Sequence, residues 1–167
     1  MSFRAILNQI RTSGCIQEYI DERNSFNQTP LVLAVLHQLP EAVYWLMTSG
    51  ADPNVADSQG NTILHLAVSE IRWFYCLRTM LLTKGPVPLR IDQLNSRGQT
   101  ALHVAVDACN EMATRCLLES GANLRLKEGS QGQTCLHISV VRRSYELTEL
   151  LLAQVTFSVF LKTNSLT

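Results

Sequence analysis

The sequence of 167 residues has no excess of charge of either sign and few charged residues at all. Lys and Arg number 14, Asp and Glu also number 14, and charged residues make up 17% of the chain. A protein that binds nucleic-acid phosphates electrostatically usually has a basic excess, so this balance argues against direct DNA or RNA binding. The hydrophobic fraction of 46% excludes an intrinsically disordered chain and is typical of a folded domain.

Signals for export, membrane insertion and disulfide bonding are also lacking. Residues 1–14 do not contain the apolar core of a signal peptide, and no apolar run approaches the roughly 18–20 residues of a membrane span. The cysteines are odd in number and have no CxxC spacing: Cys15, Cys76, Cys109, Cys116 and Cys135. We therefore expect a cytoplasmic and/or nuclear protein whose cysteines are small core residues rather than disulfides or metal ligands.

Catalytic motifs are missing as well. The sequence has no HExxH, no Gly-rich loop before a Lys, no GxSxG and no paired catalytic carboxylates on one element. These absences predict that the chain is not an enzyme and has no catalytic, cofactor-binding or metal-binding residues. An enzyme-fused module stays as an alternative, which a cleft that gathers titratable side chains would support.

What the sequence does contain is a short motif in four copies. The copies read NQTPLVLAV (27–35), GNTILHLAV (60–68), GQTALHVAV (98–106) and GQTCLHISV (132–140). Their threonines, at positions 29, 62, 100 and 134, are 33, 38 and 34 residues apart. A period of about 33 residues that carries T-P-L-H-x-A resembles the ankyrin repeat. The sequence therefore predicts an all-α ankyrin-repeat solenoid of helix–turn–helix units with β-turn fingers.

Each residue type in the motif has a physical reason. A glycine stands two positions before three of the threonines, where a tight turn needs a left-handed backbone, and Asn27 takes that place in the first copy. The threonine is expected to cap a helix. His65, His103 and His137 recur at one position, so they are copies spaced along a solenoid rather than ligands that converge on one site. We expect each of them to bond its threonine.

The repeats predict how the chain is divided. Residues 1–26 are expected to form a degenerate N-terminal capping repeat of two short helices. Four ankyrin repeats follow, and a non-repeat tail alternates polar and apolar residues like a strand. The predicted repeats are 27–59, 60–97, 98–131 and 132–154, and the tail is 155–167. Gly85 is taken as the helix-ending equivalent of Gly50 and Gly121, which divides the extra residues of the second repeat between its helices and its finger.

Charge is distributed unevenly along this neutral chain. Residues 1–60 carry three arginines and six acidic residues, a net charge of −3, and residues 61–167 carry 11 basic and eight acidic residues, a net charge of +3. An acidic segment can select a basic partner, so we expect the N-terminal third and the fingers to form the docking surface. The candidate protein-binding residues are Glu18, Asp21, Glu22, Asp52, Asp57, Ser58, Gln59, Asn95 and Arg97.

Three stretches resemble the I-kappa-B family of ankyrin proteins that regulate Rel/NF-kappa-B transcription factors. Residues 24–67 are similar to an early repeat pair of that family, residues 87–105 to its lengthened linker, and residues 127–137 to a finger one residue longer than usual. The sequence departs from the family pattern at Val32, which replaces the histidine of the first repeat. It also has no Asp-Ser-Gly-x-x-Ser phosphodegron and no acidic Pro/Ser-rich tail.

The resemblance implies a function in protein binding. The partner would be a Rel/NF-kappa-B subunit, whose basic localisation segment the first repeats would mask, with no direct nucleic-acid contact and a monomeric unbound chain. The missing phosphodegron keeps open the nuclear, transcription-modulating branch of the family. A generic ankyrin adaptor or scaffold with an unrelated partner is the alternative.

Overall fold

The computed structural model describes the backbone of residues 19–164 and the side chains of residues 19–156. Within this part the chain forms eight α-helices and one 3-10 turn, Ile71–Trp73, and no strand. The all-α ankyrin architecture predicted from the sequence is therefore confirmed. The helices are α1 (Pro30–Leu36), α2 (Pro40–Thr48), α3 (Ile63–Ser69), α4 (Phe74–Leu82), α5 (Ala101–Asp107), α6 (Glu111–Glu119), α7 (Cys135–Val141) and α8 (Tyr145–Asn164).

The helices form two layers. Helices α1, α3, α5 and α7 make the inner layer, and each packs against the next inner helix and against the outer helix that follows it. Small residues recur where neighbouring inner helices meet: Ala34, Ala67, Ala105 and Ser139, all buried. Three of the four motif leucines, Leu31, Leu64 and Leu102, are each 1% exposed. Because each unit covers the apolar face of its neighbour, one continuous core runs between the layers.

Threonine and histidine hold the start of three of the four inner helices together, α3, α5 and α7, as the sequence predicts. The hydroxyl of Thr100 lies 2.8 Å from Nδ1 of His103, and the equivalent distances are 2.9 Å for Thr62–His65 and 2.7 Å for Thr134–His137. The backbone N–H of Thr100 donates to the same Nδ1 at 3.2 Å. The interpretation of these histidines as structural residues rather than metal ligands fits this geometry.

The glycines before the threonines have the predicted left-handed backbone. Their φ angles are +74° at Gly60, +69° at Gly98 and +68° at Gly132, and Asn27 has φ +61° in the first copy. Gly85 contradicts the prediction, because it is not among the residues with positive φ and α4 ends earlier, at Leu82. A Cβ on Gly85 would lie 2.4 Å from the carbonyl oxygen of Met47. Gly85 therefore permits a close backbone approach instead of ending a helix.

The strand-like tail is the second wrong prediction. Helix α8 continues from Tyr145 to Asn164 and crosses the boundary that the sequence placed after residue 154. The predicted N-terminal capping repeat, by contrast, lies mostly outside the described residues. In the part of the chain that the structure describes, no helix is long and apolar enough to span a membrane.

The cysteines follow the sequence prediction in part, and the aromatic residues differ in burial. Cys76 and Cys135 are buried core residues, as expected, whereas Cys109 is exposed in a turn with φ +52°. Trp73 is 4% exposed and packs in the core, but Tyr75 is 71% exposed. Cys15 lies outside the described residues.

Candidate protein-binding groove

A concave groove of about 650 Å³ runs across the first three described repeats. Its floor is formed by apolar side chains of the inner helices, among them Val32 of α1, Leu66 of α3 and Val104 of α5. These side chains are only partly buried, so apolar surface is open to solvent. The fingers that precede α1, α3 and α5 form the wall of the groove. An apolar floor beside a polar wall is the arrangement that protein-binding surfaces show.

Each finger is closed by a polar side chain at the same position of its turn. Oδ1 of Asn95 accepts the backbone N–H groups of Arg97 and Gln99, both at 3.0 Å. Oδ1 of Asp57 accepts those of Gln59 and Asn61, both at 2.8 Å. Asn24 does the same in the first finger. In the last finger, which is one residue longer, the two carboxylate oxygens of Glu128 accept the N–H groups of Ser130, Gln131 and Gln133. Since two backbone donors are fixed at once, the tip of each finger has a defined shape.

Backbone hydrogen bonds join the second, third and fourth fingers in a row. The N–H of Ser96 donates to the carbonyl of Gln59 at 2.9 Å, and the N–H of Gly129 donates to the carbonyl of Arg97 at 3.2 Å. The close approach explains the glycines, because a Cβ on Gly98 would lie 2.6 Å from the nitrogen of Gly129. The second and third fingers of the wall are therefore connected to each other and are not independent loops.

Four charged residues line the groove, and the two carboxylates among them are already bonded. Asp57 accepts the turn N–H groups of its own finger, as described above. Asp107 pairs with Arg142, whose Nη2 lies 2.7 Å from its Oδ1. The guanidinium of Arg23 donates to Asn27 at 2.9 Å and to the carbonyl of Ala56 at 3.0 Å.

Arg97 is the fourth charged residue. Its side chain is exposed and makes no hydrogen bond or ion pair with another residue in the part of the chain that the structure describes.

The structure brings some of the predicted docking residues together and separates others. Asp57, Ser58, Asn95 and Arg97 line the groove, and Gln59 is exposed at the same fingertip. Asn95 is only 7% exposed, and its amide donates to Asn61 at 2.9 Å, so it shapes the wall from within.

The remaining predicted acidic residues are not among those that line the groove. Asp21, Glu22 and Asp52 lie at the bases of the first two fingers, and Glu18 is outside the described residues. The carboxylate of Asp21 accepts the N–H of Asp52 at 3.1 Å, and Asp52 accepts that of Asn54 at 2.8 Å. Burial raises the pKa of Asp21. Glu22 is exposed, and its carboxylate has no partner among the described residues.

Sequence reasoning missed the floor of the groove and two residues of the first finger, Arg23 and Phe26. Phe26 is 79% exposed at the mouth of the groove. A signal for this finger was present, because IDERNSFNQT (20–29) and IDQLNSRGQT (91–100) share Ile, Asp, Asn, Ser, Gln and Thr at matching positions. Asp92 accepts the N–H of Asn123 at 2.9 Å, as Asp21 does for Asp52. The two segments are therefore equivalent in structure as well.

Among the described residues, no group of three or more His, Cys, Asp or Glu side chains could hold a metal ion. The imidazoles nearest to the groove are buried, and burial lowers the pKa of both His65 and His103. These histidines therefore remain neutral links between repeats.

Comparisons with known proteins agree with this architecture. A sequence profile described as ankyrin repeats matches residues 5–92 and 76–160. The chain is 40% identical over 135 residues to the B-cell lymphoma 3 protein homolog of Mus musculus, covering 80% of this chain and 30% of that protein. It is 34% identical over 125 residues to the NF-kappa-B inhibitor epsilon of Homo sapiens, covering 71% of this chain and 25% of that protein. The chain thus spans less than a third of the length of either relative.

A solved structure is similar over most of the chain. The ankyrin repeat domain of Bcl-3, described as a unique member of the IkappaB protein family, aligns with a TM-score of 0.78 and 34% identity. The alignment covers 90% of this chain and 68% of that one. The resemblance to the I-kappa-B family that the sequence indicated is therefore confirmed. The chain belongs to the ankyrin-repeat family and is similar to the ankyrin domains of I-kappa-B proteins.

Proposed function

We propose that this chain is a non-catalytic, I-kappa-B-like regulator that binds Rel/NF-kappa-B transcription factors through its groove and fingers. The observation that carries the proposal is the groove, an open apolar floor beside a wall of hydrogen-bonded fingers, on a chain similar to the Bcl-3 ankyrin domain. The relatives favour this function over a generic adaptor, because one is named NF-kappa-B inhibitor epsilon and the Bcl-3 ankyrin domain is described as a member of the IkappaB family. A preformed wall loses little conformational entropy on binding.

The proposal includes a docking role for the acidic cluster, Asp21, Glu22 and Asp52, at the foot of the first two fingers. A basic segment of the partner, such as its localisation segment, would approach Asp21, Glu22 and Asp52. Glu22 supports this role best, because its carboxylate is exposed and has no partner among the described residues. Exposed ion pairs contribute about 0–1 kcal/mol each, so the effect is collective, salt-sensitive and mainly on the association rate. The unbound chain is proposed to be a monomer in the cytoplasm and/or nucleus, without direct nucleic-acid contacts.

Direct binding measurements test the proposal. The purified full chain is titrated with the Rel homology region of each NF-kappa-B subunit, and complex formation is followed by calorimetry. We expect saturable binding to at least one subunit. Absence of binding to every subunit would reject the regulator and leave the unrelated adaptor.

A second experiment tests whether the acidic cluster is a docking site. Reversing Asp57 would damage the finger that it closes, so the variant is Asp21→Asn together with Glu22→Lys, and Glu119→Lys on the outer helix α6 is the matched control. We expect slower association for the double variant at low salt and an unchanged rate for the control. Equal association rates for the double variant and the control would show that the acidic cluster is not a docking site.

A further inference from the structure

The N-terminal third has a net negative charge, yet the charged groups that the groove leaves open to a ligand are mainly positive. Both carboxylates that line the groove are engaged internally, Asp57 by backbone N–H groups and Asp107 by Arg142. Both arginines of the lining, Arg23 and Arg97, are exposed. A carboxylate that already accepts hydrogen bonds has fewer lone pairs left for a ligand, whereas an unbonded guanidinium keeps all five of its donors.

Hydrogen bonds hold both backbone groups of Arg97, its N–H and its carbonyl. Its N–H donates to the buried side chain of Asn95 at 3.0 Å, and its carbonyl accepts from Gly129 of the next finger at 3.2 Å. Arg97 is therefore presented from a fixed position while its guanidinium has no partner among the described residues. The guanidinium of Arg23 is held between its own finger and Ala56 of the next one. Both cationic groups stand beside an apolar floor.

We propose that the groove binds an acidic segment of the protein partner, with a carboxylate of that segment paired to Arg97 and apolar side chains against Val32, Leu66 and Val104. Arg23 adds a second positive group at the mouth of the groove, beside the exposed ring of Phe26. A guanidinium forms bidentate hydrogen bonds with a carboxylate, which gives both affinity and orientation. The inference rests on the proposed protein-binding function and assigns the chemistry of what enters the groove.

A peptide fits this surface better than a nucleic acid does. Binding to a phosphate backbone requires many cationic groups in a stripe, and the whole chain has a net charge of zero. The floor of the groove is apolar, which suits leucine or valine side chains rather than phosphates. The partner's acidic segment and its basic segment would bind at different places. The basic segment would bind the acidic cluster, and Asp21, Glu22 and Asp52 are not among the residues that line the groove.

A random peptide library tests the inference without knowledge of the partner. Twelve-residue peptides are displayed on phage and selected on the immobilised full chain, on Arg97→Glu and on Arg115→Glu. Arg115 is exposed on the outer helix α6, so its reversal changes net charge equally and leaves the groove intact. Circular dichroism and thermal melting establish that each variant is folded. A 20-base-pair DNA duplex is titrated against the same three proteins.

The expected result is enrichment of Asp and Glu over Lys and Arg on the full chain and on Arg115→Glu, with loss of this enrichment on Arg97→Glu. The affinity of a selected acidic peptide should fall about 10-fold in Arg97→Glu, the loss expected for one charge-assisted pair. No acidic enrichment, or equal enrichment on all three proteins, would overturn the inference. DNA binding that depends on Arg97 without acidic enrichment would also overturn it. None of these results would decide whether the Rel homology region binds, so the two proposals fail separately.

Discussion

Nε2 of His65 lies 2.9 Å from the carbonyl oxygen of Gln99, which belongs to the next repeat. Because Nδ1 of His65 accepts the N–H of Thr62, Nε2 carries the ring proton and donates it to that carbonyl. Nε2 of His103 lies 3.1 Å from the carbonyl oxygen of Leu126, in the segment that leads to the next inner helix. His65 and His103 therefore each cap their own helix and also contact the chain that precedes the next inner helix.

The first prediction concerns the pH dependence of stability. Burial lowers the pKa of His65 and His103 below the usual 6.5, so the unfolded chain binds these protons more readily than the folded chain. The stability contributed by the neutral rings is present above pH 6.5 and is lost as the pH falls below it. Urea unfolding between pH 7.5 and 5.0 should show this decline. His103→Gln should flatten it, and an unchanged slope in that variant would contradict the assignment.

The second prediction compares equivalent threonine caps. Thr100 is fully buried, and its replacement by Ala removes a cap worth about 0.5–2 kcal/mol. Thr134→Ala should cost less, because Thr134 and its partner His137 are more exposed. Chemical denaturation of the two variants measures the difference. Equal losses would mean that burial does not determine the strength of this cap.

The third prediction uses two glycines with the same backbone and different surroundings. Gly98 and Gly132 have φ angles of +69° and +68°, so Ala strains the backbone of both by about 1–2 kcal/mol. A Cβ at Gly98 also meets the next finger at 2.6 Å, whereas nothing lies within 4 Å at Gly132. Gly98→Ala should therefore be the more destabilising substitution in thermal melts. A larger loss for Gly132→Ala would contradict the packing of adjacent fingers.

The fourth prediction concerns the residues that close the fingers. Asp57→Asn keeps an Oδ1 acceptor, as Asn24 and Asn95 have in their fingers, and should leave the free energy of unfolding nearly unchanged. Asp57→Ala removes the acceptor of two backbone N–H groups and should destabilise the chain by about 1 kcal/mol. Denaturant titrations of the two variants separate the role of the acceptor from that of the charge.

The fifth prediction concerns residues 155–167. Leu151 of α8 is 1% exposed and contacts the core, whereas Leu152 is 48% exposed. Deletion after Gln154 keeps the buried residues of α8 that the structure describes, Leu147 and Leu151, and should change the melting temperature by less than about 3 °C. Loss of the cooperative transition on deletion would show that the last helix needs its full length.

The architecture was predictable where local chemistry repeats with the period. The Thr–His pair, as at Thr100 and His103, recurs in three copies, and a residue with positive φ stands two positions before the threonine in all four. The pattern alone therefore specifies a turn followed by a capped helix. The continuation of helix α8 beyond residue 154 was not predicted, because the alternation after Val155 resembles a strand. The chain there lacks a glycine where Gly50 and Gly121 end their helices, and a helix without a stop signal continues.

The candidate site was predictable only in part, because counting charges does not show which of them are bonded. Asp21, Asp52 and Asp57 look like a free acidic surface in the sequence, yet each accepts a backbone N–H. The apolar floor was missed because Val32, Leu66 and Val104 follow the same helical pattern as the core. Which side of a short helix stays open depends on how neighbouring repeats stack, and that is a tertiary property.

The four fingers keep their closing hydrogen bonds while the charge of the closing residue varies. Asn24, Asp57, Asn95 and Glu128 close equivalent turns although two are neutral and two are acidic. Substitution among them changes the electrostatic character of the fingertips while the turn itself survives. Substitutions at a single finger can thus change the charge that a partner meets without changing the stacked repeats.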